Sequence, residues 1–411
     1  MSGVSKVYVL GGYQTDFARN WVREGFETAD LMREVLQGGL EATGIPAAAI
    51  EVAHVGNFVA ELFVGQGQLG GLLAEVEPAL NGVPVSRHEA ACASGSMAIL
   101  AAMADIESGR YQTACVIGME VMRNVPGELA AQHLGAAAWV GHEAQSARYC
   151  WPHMFNQLSQ EYESRYGLDY QHVAAIAETN YKNAKRNHNA QTRNWSFQPE
   201  SFSAQDELNP VIEGLVRRND CGQVSDGAAM VVLASEKQAA QYAAEKGISL
   251  DTIPCIKGWG HRTARLSYAG KIQDSANESL VFPYVNATIK DAFKRASIAD
   301  VFELDAIETH DCFAITEYMA IDHFGMTAPG ESWKAVEAGW HEMGGRLPIN
   351  PSGGLIGCGH PVGATGVRML LDCYKQTASR AGEYQVENAK NVAMLNIGGS
   401  TTTTACFVVG V

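Results

Sequence analysis

Three short segments hold side chains able to attack, polarise or protonate a carbonyl. They are HEAACASGS with Cys92, THDCF with His310, Asp311 and Cys312, and GGLIGCGHPVGATG with Cys358 and His360. Small apolar residues follow Cys92 at helical spacing (Ala93, Met97, Leu100, Ala101, Ala104). This predicts a strand, a tight turn and a buried helix that starts at Cys92. A thiol there lies at the positive end of the helix dipole among unpaired backbone N–H groups, and both favour a nucleophilic thiolate. Gly95 leaves room for a second backbone to approach. A cysteine nucleophile needs a base within hydrogen-bond reach, most often histidine. His360, set between Gly359 and Pro361, is suitably fixed. The turn NIGGS at 396–400 offers backbone N–H groups to a developing oxyanion. Each segment also has a plainer reading: a packing thiol for Cys92 and Cys312, a surface turn for His360, an ordinary turn for NIGGS.

These groups must be positioned by a scaffold, and the chain is long enough for one. Its 411 residues suit two or three domains, and 46% hydrophobic with 18% charged residues is ordinary for a globular enzyme. The net charge of −15, with no basic stripe, argues against nucleic acid as a partner. No run of 18 apolar residues predicts a membrane span, and the N-terminus lacks the layout of a signal peptide. Nine cysteines, without framework spacing or a C-x-x-C pair, are expected to be reduced thiols rather than disulfides or zinc ligands. The expectation is a soluble, cytoplasmic protein of a bacterium or archaeon, or a peroxisomal one in a eukaryote, although no C-terminal peroxisomal signal is present.

Along the chain, 5–12, 51–59 and 111–118 read as strands, 28–40 as a helix, and 65–73 as a glycine-rich turn entering a short helix. Alternation of strands and helices predicts parallel pairing. Residues 121–220 turn polar and aromatic, with an amphipathic helical stretch at 162–184, and read as an inserted loop domain. The central strand resumes at 224–235. From 252 the first pattern recurs: strand, helix 284–296, strand 303–313, glycine-rich turn and helix 353–371, and two terminal strands. EVAHVGNFVAELF parallels DAIETHDCFAITEY, and CASGSMAILAAMADIESG with ACVIG parallels GHPVGATGVRMLLDCY with VAMLNIG. This predicts an internal duplication, with one half formed by 1–120 and 221–251 and the other by 252–411. A pseudo-twofold would bring the Cys92 helix and the 353–371 turn to one crevice.

Together CASGS, HDCF, NPSGGLIGCGHPVGATG and NIGG, with SDGAA at 225–229, resemble the thiolase superfamily in order and spacing over essentially the whole chain. HDCF, with Asn396 where most thiolases carry a second cysteine, is similar to the sterol-carrier-protein-associated subfamily. The resemblance implies a five-layered α/β fold of two similar βαβαβαββ halves with an inserted loop domain. It also implies an acetyl-CoA C-acyltransferase of fatty acid and lipid metabolism that cleaves or forms 3-oxoacyl-CoA. By the same resemblance Cys92 is the acyl-accepting nucleophile, His360 its base, Cys312 the acid/base thiol, and His310 a holder of the thioester oxygen. The N–H groups of Cys92 and Gly398 form an oxyanion hole. Coenzyme A is a co-substrate, no permanently bound cofactor or metal is expected, and the usual state is a homodimer or homotetramer.

A polyanionic co-substrate requires a local basic patch on this acidic chain, and Lys182, Lys185, Arg186, Arg217 and Arg218 of the insertion are candidates. The aromatic run WPHMF (Trp151 to Phe155), with Met154 in it, is a candidate for lining the acyl site. Cys358 matches no family role. Some relatives are aldolases that work with a zinc-ribbon OB-fold partner and tend to lose the nucleophile. A partner-dependent acyltransferase or carbon–carbon lyase is therefore the alternative reading, and a non-catalytic acyl-CoA or lipid binder the third. Replacing Cys92 by Ala is expected to abolish turnover and leave CoA binding intact, as measured by steady-state assay and calorimetry. Unchanged turnover would remove Cys92 as nucleophile.

Overall fold

The computed structural model describes residues 6–411, so Ser5, the start of the first expected strand, lies outside the described residues. Among the described residues eleven strands form: β1 Val7–Gln14, β2 Val52–Gly56, β3 Val85–His88, β4 Thr113–Glu120, β5 Val211–Glu213, β6 Val216–Arg217, β7 Gly227–Ser235, β8 Cys255–Thr263, β9 Ala306–Thr309, β10 Asn391–Gly398 and β11 Thr403–Gly410. Nine of them make one sheet in the order β3-β2-β4-β7-β1-β8-β11-β10-β9, and β5 and β6 form a separate ribbon in the insertion.

The sheet reads symmetrically outward from β1 and β8, which meet over only Val7↔Ile256 and Tyr8↔Cys255. On one side run β7, β4, β2 and β3. On the other run β11, β10 and β9, with an isolated bridge Ile307↔Ile349 where β3 has its counterpart. Both halves therefore follow one strand order, as the internal duplication predicts. Pairing is mixed rather than wholly parallel. β2 runs parallel to β3 and β4, and β9 to β10, whereas β7 and β11 are antiparallel to both of their neighbours. A four-residue turn joins β10 to β11, and so short a link can only reverse the chain.

The layers follow from which faces are apolar. Leu31, Met32, Val35 and Leu36 of helix Thr28–Thr43, with Leu69 and Leu73 of helix Leu69–Val76, cover one face of the first half together with Ala239 and Ala243 of helix Glu236–Lys246. Helix Pro283–Ala296 covers the second half. Helices Ser94–Glu107 and Thr365–Thr377 lie between the halves, the latter touching strands of both. Among the described residues, no helix is long and apolar enough to cross a membrane.

One expectation about the insertion changes. The single helical stretch at 162–184 is two helices, Cys150–Tyr166 and Tyr170–Ala184, broken where Gly167 takes φ +80°. The polar run at 182–195 packs against the second half. Asn187 and Thr192 are buried, and they donate to Ser352 O (3.0 Å) and Gly357 O (2.8 Å) of the second half.

The two central helices touch backbone to backbone. A Cβ on Gly95 would stand 2.9 Å from Gly363 O, one on Gly366 2.5 Å from Ser96 N, and one on Gly118 2.4 Å from Gly363 O. Gly118→Ala meets backbone that cannot swing aside, and overpacking of this kind costs about 1–3 kcal/mol. A lowered melting temperature is expected; an unchanged one would show that the two halves can separate freely.

Candidate active site

Cys92 sits in the 3-10 turn Ala91–Ala93 that feeds helix Ser94–Glu107, so the helix proper begins two residues after the position expected. Ala91 takes φ +51°, a left-handed conformation costly for a residue with a Cβ. Local bonds hold it there: the Ala91 N–H donates to Glu89 Oε1 (2.6 Å) and Ser94 Oγ to Ala91 O (2.6 Å). The thiol is not a resting thiolate. Burial pushes it up to about 12, outweighing the N–H groups of Gly399 and of Cys92 itself that face the sulfur. The helix-dipole expectation fails because desolvation is the larger effect.

Gly399, not Gly398, therefore directs its N–H at the sulfur. Gly398 remains in the β10–β11 ladder opposite Thr403, and the chain turns only at Gly399 with φ +63°. The missing side chain of Gly398 serves a different purpose, since a Cβ there would meet Ala90 O at 2.2 Å.

His360 is held by the second central helix and by the SDGAA segment. Its backbone N–H donates to Ser225 Oγ (2.8 Å), and its Nδ1 lies 2.6 Å from Thr365 Oγ1, whose hydroxyl donates to Pro361 O at 3.1 Å. With the Thr365 proton so committed, Nδ1 carries the imidazole proton and Nε2 keeps a bare lone pair. Burial and then the Arg368 guanidinium hold His360 down to about 3, hence neutral.

His310 is held in the opposite tautomer by Asn396. The Asn396 Nδ2 lies 3.1 Å from Cys92 O and 3.2 Å from His310 Nδ1, while its Oδ1 accepts from Ser96 Oγ at 2.7 Å. A carbonyl can only accept, so the group facing Cys92 O must be the amide NH2, and the same NH2 donates to His310 Nδ1. The proton of His310 then sits on Nε2. Burial, with His360 and Arg368 nearby, keeps this ring neutral too. The rings are 5.2 Å apart and near perpendicular. Cys92, His310 and His360 bring ligating atoms within 4.8 Å of one another, and both Nε2 atoms are buried without a partner among the described residues. A cation would need lone pairs from all three, and the His310 Nε2 proton denies it one.

Cys92, Cys312, His360, Trp151, Phe155 and Phe313 line one cavity of about 360 Å³. Phe155 and Phe313 stack at 4.4 Å. Burial raises the Cys312 thiol well above its usual value, with Cys92 and Asp311 adding to the effect. Met154 is buried in the core and does not line the cavity, since successive residues of a helix point about 100° apart. Of the five cations expected to meet CoA, only Arg218 lines this cavity. Lys182 is exposed on helix Tyr170–Ala184, Lys185 is exposed just past its end, Arg186 is half-buried beyond that, and Arg217 is committed to Asp206 and to Asn209 O. Cys358 is fully buried, taking hydrogen bonds from Gln14 and Asn187.

Sequence reasoning missed several supports of the site. Glu120, buried at the end of β4, accepts from Phe58 N (2.9 Å), Val59 N (3.2 Å) and Gly363 N (3.0 Å), joining both halves. Asp311 of HDCF accepts from the N–H groups of Leu355 and Ile356 in the short helix Gly354–Cys358 that leads to His360. Asn180 donates to Asp311 (2.8 Å) and Glu317 (2.6 Å). A charged residue ending an apolar run was the only signal for Glu120.

Comparison with known proteins agrees with this architecture. Residues 7–237 match the model of the thiolase N-terminal domain, and 269–411 that of the thiolase C-terminal domain-like family. The chain belongs to the thiolase family. It is 30% identical to the acetyl-CoA acetyltransferase of Methanothermobacter thermautotrophicus over 403 residues, 98% of each chain. Sterol carrier protein 2 of Homo sapiens is 27% identical over 97% of this chain and 71% of its own length. The fold is shared with the Ltp2-ChsH2(DUF35) aldolase (TM-score 0.77, 16% identity, 99% of both chains). It is shared also with human mitochondrial 3-ketoacyl-CoA thiolase in complex with CoA (TM-score 0.68, 16% identity, 99% and 98% of the chains). The thiolase is accordingly an acyltransferase of the family's general type.

The tautomer of His310 makes its Nε2–H a donor. His310→Asn, which keeps an N–H donor, is expected to retain more activity than His310→Ala, for which loss of an oxyanion donor predicts a fall of about 100- to 1,000-fold in rate. Equal loss in both variants would show that donation is not what His310 contributes.

Proposed function

We propose that the chain is a thiolase that cleaves 3-oxoacyl-CoA, or forms it by the reverse Claisen condensation, through an acyl group on Cys92. The observation that carries this reading is the pair of neutral imidazoles in opposite tautomers beside two thiols, one ring offering a lone pair and the other a proton. His360 Nε2 takes the Cys92 proton as the sulfur attacks the 3-keto carbon, and the N–H groups of Cys92 and of the Gly398–Gly399 turn meet the oxyanion. The oxyanion collapses, the C2–C3 bond breaks, and its electron pair becomes the enolate of acetyl-CoA. His310 Nε2–H supports the enolate oxygen, and Cys312 delivers the proton to carbon. Cys312, now a thiolate, takes the proton of an incoming CoA thiol, whose sulfur displaces Cys92 from the acyl group. Both cysteines end protonated once His360 returns its proton to Cys92.

Proton transfer coupled to attack suits groups this strongly buried, since neither a free thiolate nor an imidazolium has to exist in the resting site. The apolar cavity walls accept the acyl group, and Arg218 supplies positive charge toward CoA. CoA acts as co-substrate, with no resident cofactor or metal in the cycle. A cytoplasmic homodimer or homotetramer is part of this reading, to be tested by sedimentation.

The shared fold of the Ltp2-ChsH2(DUF35) aldolase motivates a second reading, a carbon–carbon lyase completed by a zinc-ribbon OB-fold partner. The presence of both Cys92 and Cys312 favours thiolysis. CoA-dependent cleavage of acetoacetyl-CoA by the purified chain alone is the deciding assay. Cleavage lost in Cys92→Ala is expected, whereas a folded chain that never acylates Cys92 would favour the partner-dependent reading. Cys312→Ala is expected to form the acyl-enzyme from an acyl-CoA donor yet fail to condense it; condensation at the wild-type rate would remove Cys312 from the enolate step.

A further inference from the structure

Lys271 and Arg368 are the only lysine or arginine side chains buried among the described residues. Arg368 has carboxylates on hand: Glu308 (3.1 Å) and Asp372 (3.0 Å). Lys271 has none in contact. From helix Tyr268–Asp274 its Nζ donates to Ser400 O, to Ser400 Oγ (2.7 Å) and to Thr402 Oγ1 (2.9 Å). Three donors thus meet three acceptors, all within the four-residue turn that joins β10 to β11. The same turn carries the Gly399 N–H that faces the Cys92 sulfur.

The turn would not hold this shape unaided. Gly399 takes φ +63° and Thr401 φ +66°, and a β-branched residue in the left-handed region is a genuine outlier. The Tyr284 hydroxyl pairs with Thr401 Oγ1 and steadies it from the other side. Lys271 sits at a cost to the fold, because burial pulls its ammonium down to about 7 and Glu143 is the only charge acting against that. An apolar side chain would fill the same space without that cost.

We propose that Lys271 is a positioning residue of the catalytic site, whose ammonium fixes the 399–402 turn so that the Gly399 N–H stays aimed at the reacting sulfur and the oxyanion beside it. It acts through the turn and does not touch substrate. The inference rests on the acyl-cysteine chemistry proposed above.

Rapid-quench mass spectrometry of Cys92 acylation by acetoacetyl-CoA tests it, with CoA affinity measured in parallel by calorimetry. Lys271→Met is expected to slow acylation by about 100-fold, the scale set by losing one oxyanion donor. CoA affinity should stay within about twofold, a division that general unfolding would not produce. Ser400→Ala and Thr402→Val each remove one acceptor and leave two, so their acylation rates should fall between wild type and Lys271→Met. A folded Lys271→Met that acylates at close to the wild-type rate would overturn the proposal. Should that variant not fold, wild-type rates in the Ser400→Ala, Thr402→Val double variant would do the same. Failure of the wild type itself to acylate would instead overturn the parent reading, and this one with it.

Discussion

Everything at the centre of this molecule depends on two backbones lying closer together than side chains permit. The segments behind Cys92 and His360 cross at Gly95 and Gly366, where a Cβ would stand 2.9 Å from Gly363 O and 2.5 Å from Ser96 N, while one on Gly363 would meet Met119 O at 2.5 Å. Real Cβ contacts are never that close, so glycine at these points is what lets two helix starts share one crevice. Cys92 and His360 each lie just ahead of a buried helix, in the segments that lead into Ser94–Glu107 and Thr365–Thr377, and the approach of these segments sets their separation. The catalytic geometry is thereby a property of main-chain packing, which is stiffer than any arrangement of loop side chains.

Around that contact runs a layer of buried polar groups, most of them paired. Asn180, Asn183 and Asn187 of the insertion bind Asp311, Asn350 O and Ser352 O of the second half. Arg368 gathers Glu308, Ser352 and Asp372. Leaving one such group unpaired costs about 1–3 kcal/mol, so alternative packings of the loops are heavily disfavoured. Buried ion pairs seldom add net stability. Here the Arg368 charge also discourages protonation of both histidines, which keeps the site's protons assigned by hydrogen bonding rather than by solution pH.

The candidate reactive residues were legible in the sequence because the chemistry expected of them demands particular side chains in short, ordered runs. Cys92, His310, Cys312 and His360 could be named from CASGS, HDCF and GHP, and the duplication could be read from repeated apolar patterns. What escaped detection depends on partners far along the chain. Asn396 could be noted only as the absence of a second cysteine; its part in ordering His310 needs three contacts visible only in space. Lys271 and Asn180 carry no local mark of their role, and Glu120 only that of a charge ending an apolar run. The ionisation of Cys92 was misjudged because a dipole argument sees the helix and not the burial. The run WPHMF could be read as a cavity wall, and Trp151 and Phe155 do line it; that Met154 turns away could not be read, because a helix's rotation about its axis is fixed by tertiary packing. The lysines of 182–185 look basic and well placed in one dimension, yet they are exposed on or just past a helix whose other side grips the second half.

That grip has a consequence for how the protein comes into being. Asn180, Asn183 and Asn187 leave the ribosome before their partners, which follow 131, 167 and 165 residues later, and the Asn396–Cys92 bond spans 304. The first half can pair β1 through β7 during synthesis, but the insertion's asparagine face must stay wet until residues 311–352 emerge. Contacts so distant in sequence are slow to form, and they leave unfinished surfaces open to aggregation. The cavity beside Cys92 cannot close until these distant contacts form, and a chain stalled before residue 360 would hold Cys92 without His360.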